Sequence, residues 1–530
     1  MSSRERRWLA LCPAAAWAIA LATGGAKSKT ALTIIEALIL GGFGVWLARG
    51  GEFLSEPWQT PLAAFCLWLP VNLLAPGSAF NSLPHILWIL SLAAFFFLTR
   101  YLWDRRDKEF FLSSITGAGI INAGLVLIQT RTGANITGLF PGNPNYSAAL
   151  TVAASLVSLV RFKKQPLSHA AGLLLYLGSL SQQQSRGAWL ALIVTVLCMA
   201  GRRWKGKGIA GVAVFLALWI LYLPGDYAFR LSKLGNGPDA MARPLIWQSS
   251  LRMIREQPLT GWGAGNFEQG FRLYPVVSRD GLFRYEKSTA FAHSLYLQIA
   301  TDLGIPGLLF FLWALWRFWR STDPEAASRP LLTACLVGAA FDMIFALPAL
   351  ALLLSGIAGV TAHRGQPPPP SRKLPPRLRA TFCALAAGAV GLLIVPNKTR
   401  VELSDPRFWQ YRGDDLGWRD HAWGEAFLVY QKAEDLDPFH APLYCQAGGL
   451  ALGHNDLLRA EEEFKRCVAL EPNALRAWHG LAVTLHRQGR HSEAARLEAS
   501  LPPLTLRIEK RIKNTHHTLS NYALYLLGLV

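Results

Sequence analysis

Acidic residues are scarce in this chain of 530 residues: 34 Asp and Glu stand against 53 Lys and Arg, and charge of both signs amounts to 16%. A soluble domain normally carries about 25%, so a wholly water-soluble chain is excluded. Several enzyme signatures are missing as well. There is no HExxH and no GxSxG, which removes the common zinc-peptidase and serine-hydrolase arrangements. Gly261-Trp-Gly-Ala-Gly265 is not a phosphate loop, because it lacks the Gly-Lys-Ser/Thr ending and no strand precedes it. Cysteine offers no framework. Cys12, Cys66, Cys198, Cys335 and Cys383 fall in or near apolar runs and pack there as small hydrophobes. Cys445 and Cys467 lie in a polar tail and can pair if that tail is outside the cell, but no C-x-x-C metal spacing occurs.

What the chain has in quantity is apolar sequence, with 52% hydrophobic residues and 19 Trp. Runs near 20 residues recur as far as about residue 396, each long enough to cross a bilayer. About thirteen spans are predicted: roughly 8–24, 30–48, 60–76, 83–102, 110–130, 146–161, 169–182, 187–200, 208–224, 294–316, 330–346, 348–362 and 379–396. Two are short enough to be re-entrant or tilted. The first run leads straight into more spans, which argues against a cleaved signal peptide.

The net charge of +19 invites a nucleic-acid reading, and its distribution argues against one. Basic residues gather in alternate loops, around Arg4–Arg7, Arg100–Lys108, Arg161–Lys164, Arg202–Lys207, Arg317–Arg320 and Arg364–Arg379. That alternation is the positive-inside pattern and assigns those loops to the cytoplasm. The loops between them then face outward, with Lys27 and Lys29 a mild exception. No carboxylate pair and no Asp-x-Asp motif stands out in these external loops.

One external stretch, Pro224 to His293, is longer than an ordinary connection and marks a functional loop or a small folded unit. Arg243 and Pro244 predict a helix start there, since Pro is pre-organised for the first helical position. Leu245, Ile246, Leu251 and Ile254 give that helix an apolar face, with Arg252 and Arg255 off it. Pro258 and the series Gly261, Gly263, Gly265 end it in a turn. Earlier, Gly138-Leu-Phe-Pro-Gly-Asn-Pro-Asn-Tyr146 opens a span on the same face. Alone it is a capping turn with Asn145 as N-cap. Gln182-Gln-Gln-Ser-Arg-Gly187 sets Arg186 beside hydrocarbon, where an arginine snorkels, pairs or binds something. Two outer-face arginines followed by His293 have the chemistry to hold pyrophosphate and take a proton from a hydroxyl. From His293, Tyr296, Ala300, Gly304 and Gly307 fall roughly on one helical face. Asp302 lies about half a turn round and is a structural or supporting candidate only.

The series GLFPGNPN, QSRGAWLAL, RPLIWQSSLRMIREQPLTGWGAGNF and AHSLYLQIATDLGIPGL resembles the O-antigen ligase/polymerase family across about residues 110–320. The resemblance implies an all-α polytopic glycosyltransferase of the type-C class, with about 12–13 spans here. It implies metal-independent, cofactor-free transfer from an undecaprenyl-pyrophosphate-linked donor. By position, Arg186 and Arg243 resemble the family's pyrophosphate-binding arginines and His293 its catalytic histidine. The acceptor is lipid A-core, a growing glycan or a protein, and nucleic acid is not expected. The extra run near 379–396 departs from the usual twelve spans.

Beyond residue 362 the composition changes. RGQPPPPSRKLPPRLR is a basic, extended linker. After the last span the chain repeats with a period of 34: Ala426, Ala460 and Ala494; Tyr430 and Phe464; Pro438 and Pro472. This is the tetratricopeptide pattern, two good repeats and a weaker third, and such stacks usually bind proteins. The expected organisation is a transmembrane bundle (1–223), a periplasmic loop (224–293), further spans (294–362), the linker (363–378), an extra span (379–396) and the repeats (397–530). Multi-pass residence in the bacterial inner membrane follows, with site and repeats facing the periplasm.

Other readings remain open at this stage: a protein O-oligosaccharyltransferase of the same family, a non-enzymatic polysaccharide transporter or flippase, and a non-catalytic assembly scaffold. Glu36, Asp302 and Asp342 leave room for a transporter. The topology is open to test. A cysteine placed at Arg243 is expected to react with an impermeant maleimide in intact spheroplasts, and labelling only after lysis would exclude the external site.

Overall fold

The computed structural model describes residues 2–77, 79–163, 165–203, 238–274, 289–323, 328–361, 371–394, 406–472 and 474–500. The expected span 208–224, parts of the 224–293 loop and of the linker, and the end of the tail lie outside the described residues. The chain divides into two compact units. One comprises Met1–Val71, Pro84–Met241 and Phe291–Val395; the other comprises Asn72–Leu83, Ala242–Ala290 and Pro396–Val530.

The first unit is built of helices at nearly every expected span. These are α1 (Ser3–Ala22), α2 (Lys29–Ala48), α3 (Gln59–Val71), most of α4 (Ala79–Leu102) and α5 (Arg105–Thr132). There follow α6 (Pro144–Arg161), α7 (Pro166–Gln183) and α8 (Arg186–Arg203). Most of α9 (Pro238–Glu256) and all of α10 (Phe267–Leu273) belong to the second unit; the first resumes with α11 (Leu295–Ser321), α12 (Arg329–Phe341), α13 (Pro348–Val360) and α14 (Pro376–Ile394). Four described helices are both long and apolar enough to cross a membrane: Lys29–Ala48, Asn81–Leu102, Arg105–Thr132 and Leu295–Ser321. The one sheet among the described residues pairs Glu52–Leu54 antiparallel with Ser371–Lys373.

Helix alternation sends the loops of this unit to two ends. At one end the basic residues are tied down: Arg6 donates to the Tyr101 carbonyl at 2.9 Å, Arg49 pairs with Glu5 at 3.0 Å, and Arg161 pairs with Glu109. Arg100, expected as a loop cation, is instead buried. It forks onto Glu56 at 2.8 Å through two nitrogens and donates to the Thr361 carbonyl at 2.7 Å. At the other end, Lys27 donates to the Pro141 carbonyl and Ala349 N–H to the Gly25 carbonyl. The turn before α6, the turn between α1 and α2 and the break between α12 and α13 therefore meet there.

Small residues allow the close helix contacts. A Cβ on Gly119 of α5 would strike Ala154 of α6, and one on Gly359 of α13 would strike Thr99 of α4. Apolar side chains alone give little drive for association in lipid, so such van der Waals fit matters more than burial.

In the second unit the tail forms α15 (Pro406–Asp414), α16 (Trp423–Leu436), α17 (Ala441–Gly453), α18 (Leu457–Leu470), α19 (Leu475–Arg487) and α20 (His491–Ser500). Helices α16, α18 and α20 each begin 34 residues after the last. Ala426, Ala460 and Ala494 are all fully buried, as the period requires of its tightest position. Even the hydrogen bonds repeat. Tyr444 Oη donates to the Pro438 carbonyl, and 34 residues on Trp478 Nε1 donates to the Pro472 carbonyl, both at 2.9 Å.

Cys445 of α17 and Cys467 of α18 form a disulfide with their Cα atoms 5.4 Å apart. Replacing both by Ser is expected to cost about 3 kcal/mol, the loop-closure value for a link of this length. Thermal unfolding of the full chain with and without reductant measures it. Equal melting of wild type and the double variant in non-reducing buffer would show that the link is not formed.

Candidate functional site

The site end of the first unit is organised by Asp342, the residue that ends α12. Its backbone is extended (φ −157°, ψ 160°), and a short 3-10 turn, Ile344–Ala346, separates it from α13. Asp342 Oδ1 accepts from its neighbour's Met343 N–H at 2.8 Å and lies 3.3 Å from His293 Nδ1. Oδ2 accepts from the Asn145 amide. A carboxylate can only accept, so this contact puts the imidazole proton on Nδ1 and leaves the Nε2 lone pair available. His293 is about one-third exposed while Asp342 is 9% exposed. The pair thus has a covered anchor and an accessible base.

His293 itself precedes the helix. The apolar periodicity predicts a helix from His293 through Gly307, but α11 starts at Leu295 and His293 sits in the left-handed region (φ 51°). Histidine occupies that region only at some cost, and a single such residue persists when neighbours over-determine it. The helix then breaks at Gly304 (φ 73°, ψ 178°), two residues before Pro306. Gly307 therefore does not continue the face of Tyr296 and Ala300. The physical reason is local: Pro306 has no N–H to donate and its ring crowds the preceding turn, and glycine absorbs the bend.

Asp302 is not in contact with the imidazole. It accepts from Gln298 Nε2 at 3.1 and 3.0 Å, and Gln298 Oε1 in turn accepts from the Ala292 N–H at 2.8 Å. Asp302 thus reaches the residue before His293 through one glutamine.

Asn145 is not the cap of α6. Asn143 takes that position, its side chain accepting from the Asn145 N–H at 2.9 Å, with Pro144 as first helical residue. Freed from capping, the Asn145 amide turns to Asp342. The preceding turn is pinned by Asn122 of α5, which accepts from Leu139 N–H and from Ser147 Oγ, both at 2.8 Å.

Arg186 is the first residue of α8, exposed, with no ion-pair partner among the described residues. A cation at a helix N-terminus gains nothing from the macrodipole, so Arg186 does not stabilise its own helix. Its neighbours Ser185 and Gly187 line a cleft with Asn145, Asp342 and Gly338, of 530 Å³ including its open mouth. The cleft continues over Ala149, Val152, Ala153, Ala191 and Leu331, so it is polar at one end and apolar along its length.

Arg243 belongs to the second unit, on α9, and is half-buried. The helix starts earlier than expected: Pro238 takes the favoured early position and Pro244 is carried inside it. The buried face is Ile246, Ser249, Ser250 and Met253, whereas Leu251, expected inward, is 49% exposed. The turn after the helix packs against it, with Trp262 Nε1 donating to the Met253 carbonyl at 3.1 Å. Gly261, Gly263 and Gly265 do form the expected turn, all at positive φ. Asn72 closes it, donating to the Thr260 carbonyl at 2.7 Å and accepting from Ala264 N–H at 2.6 Å.

Sequence reasoning overlooked Asp342 as the partner of His293. Its only sequence signal is a lone acid between two apolar runs. Together, the fold and site define a polytopic helical membrane protein with an accessible histidine–carboxylate pair, whose carboxylate lines a cleft with the neighbours of an exposed arginine. Residues 171–312 match the family described as O-Antigen ligase, which supports a glycan ligase or polymerase type of glycosyltransferase. The matched segment contains Arg186, Arg243, His293 and Asp302, and stops short of Asp342. No curated protein matches the chain.

Gly138 (φ +60°) offers a test of the pinned turn. A Cβ there would meet Ser147 Oγ and Asn122 Oδ1. Gly138→Ala is expected to destabilise the protein by about 2–4 kcal/mol, combining left-handed strain with overpacking. A melting temperature equal to wild type in detergent would overturn this.

Proposed function

We propose that the protein transfers a glycan from an undecaprenyl-pyrophosphate carrier to an acceptor hydroxyl at the periplasmic face of the bacterial inner membrane, as an O-antigen ligase or polymerase. The observation that carries this reading is the contact of His293 Nδ1 with Asp342, which lines a cleft together with Ser185 and Gly187, the neighbours of Arg186. In this scheme the acceptor O–H gives its proton to His293 Nε2 while its oxygen bonds to the anomeric carbon. The carbon–oxygen bond to pyrophosphate breaks on the opposite face, and configuration inverts. The leaving pyrophosphate keeps the electron pair, and Arg186 and Arg243 hold its charge. Asp342 orients the imidazole and stabilises the imidazolium that forms. Asn145 fixes the carboxylate, and Asp302, through Gln298, braces the backbone N–H of Ala292, the residue before His293.

No step in this scheme calls on a metal or cofactor. Pyrophosphate is already a good leaving group, so the acceptor hydroxyl is the partner that needs help. The tail, read as tetratricopeptide-type repeats, shares the periplasm with the site. Its disulfide supports this, since such links persist in oxidising compartments.

General-base assistance contributes roughly 10²–10⁴-fold. His293→Gln is therefore expected to keep donor binding and lose turnover by that factor, with Asp342→Asn slowed through a misoriented ring. Lys at 186 or 243 should rescue poorly, because a point charge does not reproduce the guanidinium fork. A product with retained configuration, or a His293→Gln enzyme at wild-type rate, rules the scheme out.

A further inference from the structure

Helix α10 is gripped from two sides within the second unit. Its inner face, Phe267, Gly270 and Phe271, is buried. Gly270 has no room for a side chain: a Cβ would lie 2.5 Å from Met253 Cε of α9 and 3.0 Å from the Trp262 ring. Trp262 is itself hydrogen-bonded to the Met253 carbonyl. Helix α10, the glycine turn and α9 are therefore one packed piece, and α9 carries Arg243.

The other side of α10 meets the repeats. Gln269 Nε2 donates to both oxygens of Asp437, at 3.1 and 2.9 Å. One turn on, Arg272 donates to Glu471 at 2.7 Å and to Glu268 of its own helix at 2.8 Å. Asp437 and Glu471 are equivalent residues of successive repeats, each closing a helix (α16 and α18) and 34 positions apart. Successive positions on one face of α10 thus read successive repeats. The acids are not placed for their own helices, since negative charge at a helix C-terminus is unfavourable. Asp437 also accepts from the Phe439 N–H in its turn; Glu471 closes α18 by its backbone, and its side chain accepts from Arg272. The ion pair is well covered, Arg272 being 19% and Glu471 13% exposed, so salt screens it less than a surface pair.

We propose that the repeat tail is a positioning element of the transferase: Asp437 and Glu471 hold α10 and, through Trp262 and Met253, set the helix that presents Arg243 to the donor's pyrophosphate. The inference rests on the proposed role of Arg243. It gives the repeats a task inside the enzyme, and it makes Gln269 and Arg272 positioning residues.

The test is equilibrium binding of undecaprenyl pyrophosphate to the full-length protein in detergent. Glu471→Arg and Arg272→Glu are each expected to weaken binding about tenfold, the equivalent of one charge-assisted hydrogen bond. The double exchange, Glu471→Arg with Arg272→Glu, should return affinity to within about threefold of wild type, a rescue that simple loss of folded protein does not give. If a reversal fails to fold, Glu471→Gln is expected to weaken binding a few-fold. Wild-type affinity in a folded Glu471→Arg or Glu471→Gln protein overturns the inference, as does a double exchange no better than the singles. Unchanged affinity in Arg243→Ala removes the donor-site reading and this inference with it. Loss in Arg243→Ala together with normal Glu471 variants removes this inference alone.

Discussion

A carboxylate at the edge of hydrocarbon must be partnered, and the way Asp342 meets that demand sets the geometry of the site. It closes α12, sits before the 3-10 turn that leads into α13, and takes donors from three separate stretches: Met343, Asn145 and His293. Breaking any one contact leaves the acid short of a donor in a covered position, which costs more than the bond itself is worth. The same contacts join the start of α6, the entry to α11 and the break between α12 and α13. The unit cannot loosen one of these without disturbing the imidazole.

Backbone strain at His293 fits this picture. A left-handed histidine is held by groups around it rather than by its own preference. Asp342 holds its ring from one side, and Gln298, braced by Asp302, holds the preceding N–H from the other. The ring is thereby fixed in direction while its outer nitrogen stays accessible. In the proposed scheme, a base held in this way needs no reorganisation when the acceptor arrives.

What was legible in the sequence followed from periodicity. Apolar runs of span length became helices, and the 34-residue spacing of Ala426, Ala460 and Ala494 became the buried contact of stacked helix pairs. Local choices between similar residues were less legible. Asn143 and Asn145 flank one proline and both suit a cap, and only Asp342, distant in sequence, diverts Asn145. Pro238 and Pro244 both suit a helix start. Leu251 belongs to an apolar stripe by spacing, yet the face of Ile246, Ser249, Ser250 and Met253 is the one turned inward. The His293–Asp342 pair joins residues 49 apart, and no local pattern encodes such a contact. The break at Gly304 was present in the letters Gly-Ile-Pro-Gly, where proline and glycine outweigh an apolar stripe.

The contacts of α10 with the repeats also bear on topology. Gln269 and Arg272 touch Asp437 and Glu471 directly, so the loop and the tail lie on one side of any membrane the chain crosses. The chain between them must then cross an even number of times. Helices α12 and α13 both meet the site end, at Asp342 and Ala349, while the C-terminus of α13 returns to Arg100 at the basic end. Helix α11 is long and apolar enough to span. Helix α14 is not among the described helices that are long and apolar enough to span. It packs on α2 within the first unit: Ala386 lies against Gly44, and Cys383 Sγ donates to the Gly44 carbonyl at 3.5 Å. If α11 crosses, an odd number of further crossings must lie between it and the repeats, because the loop and the tail are in contact.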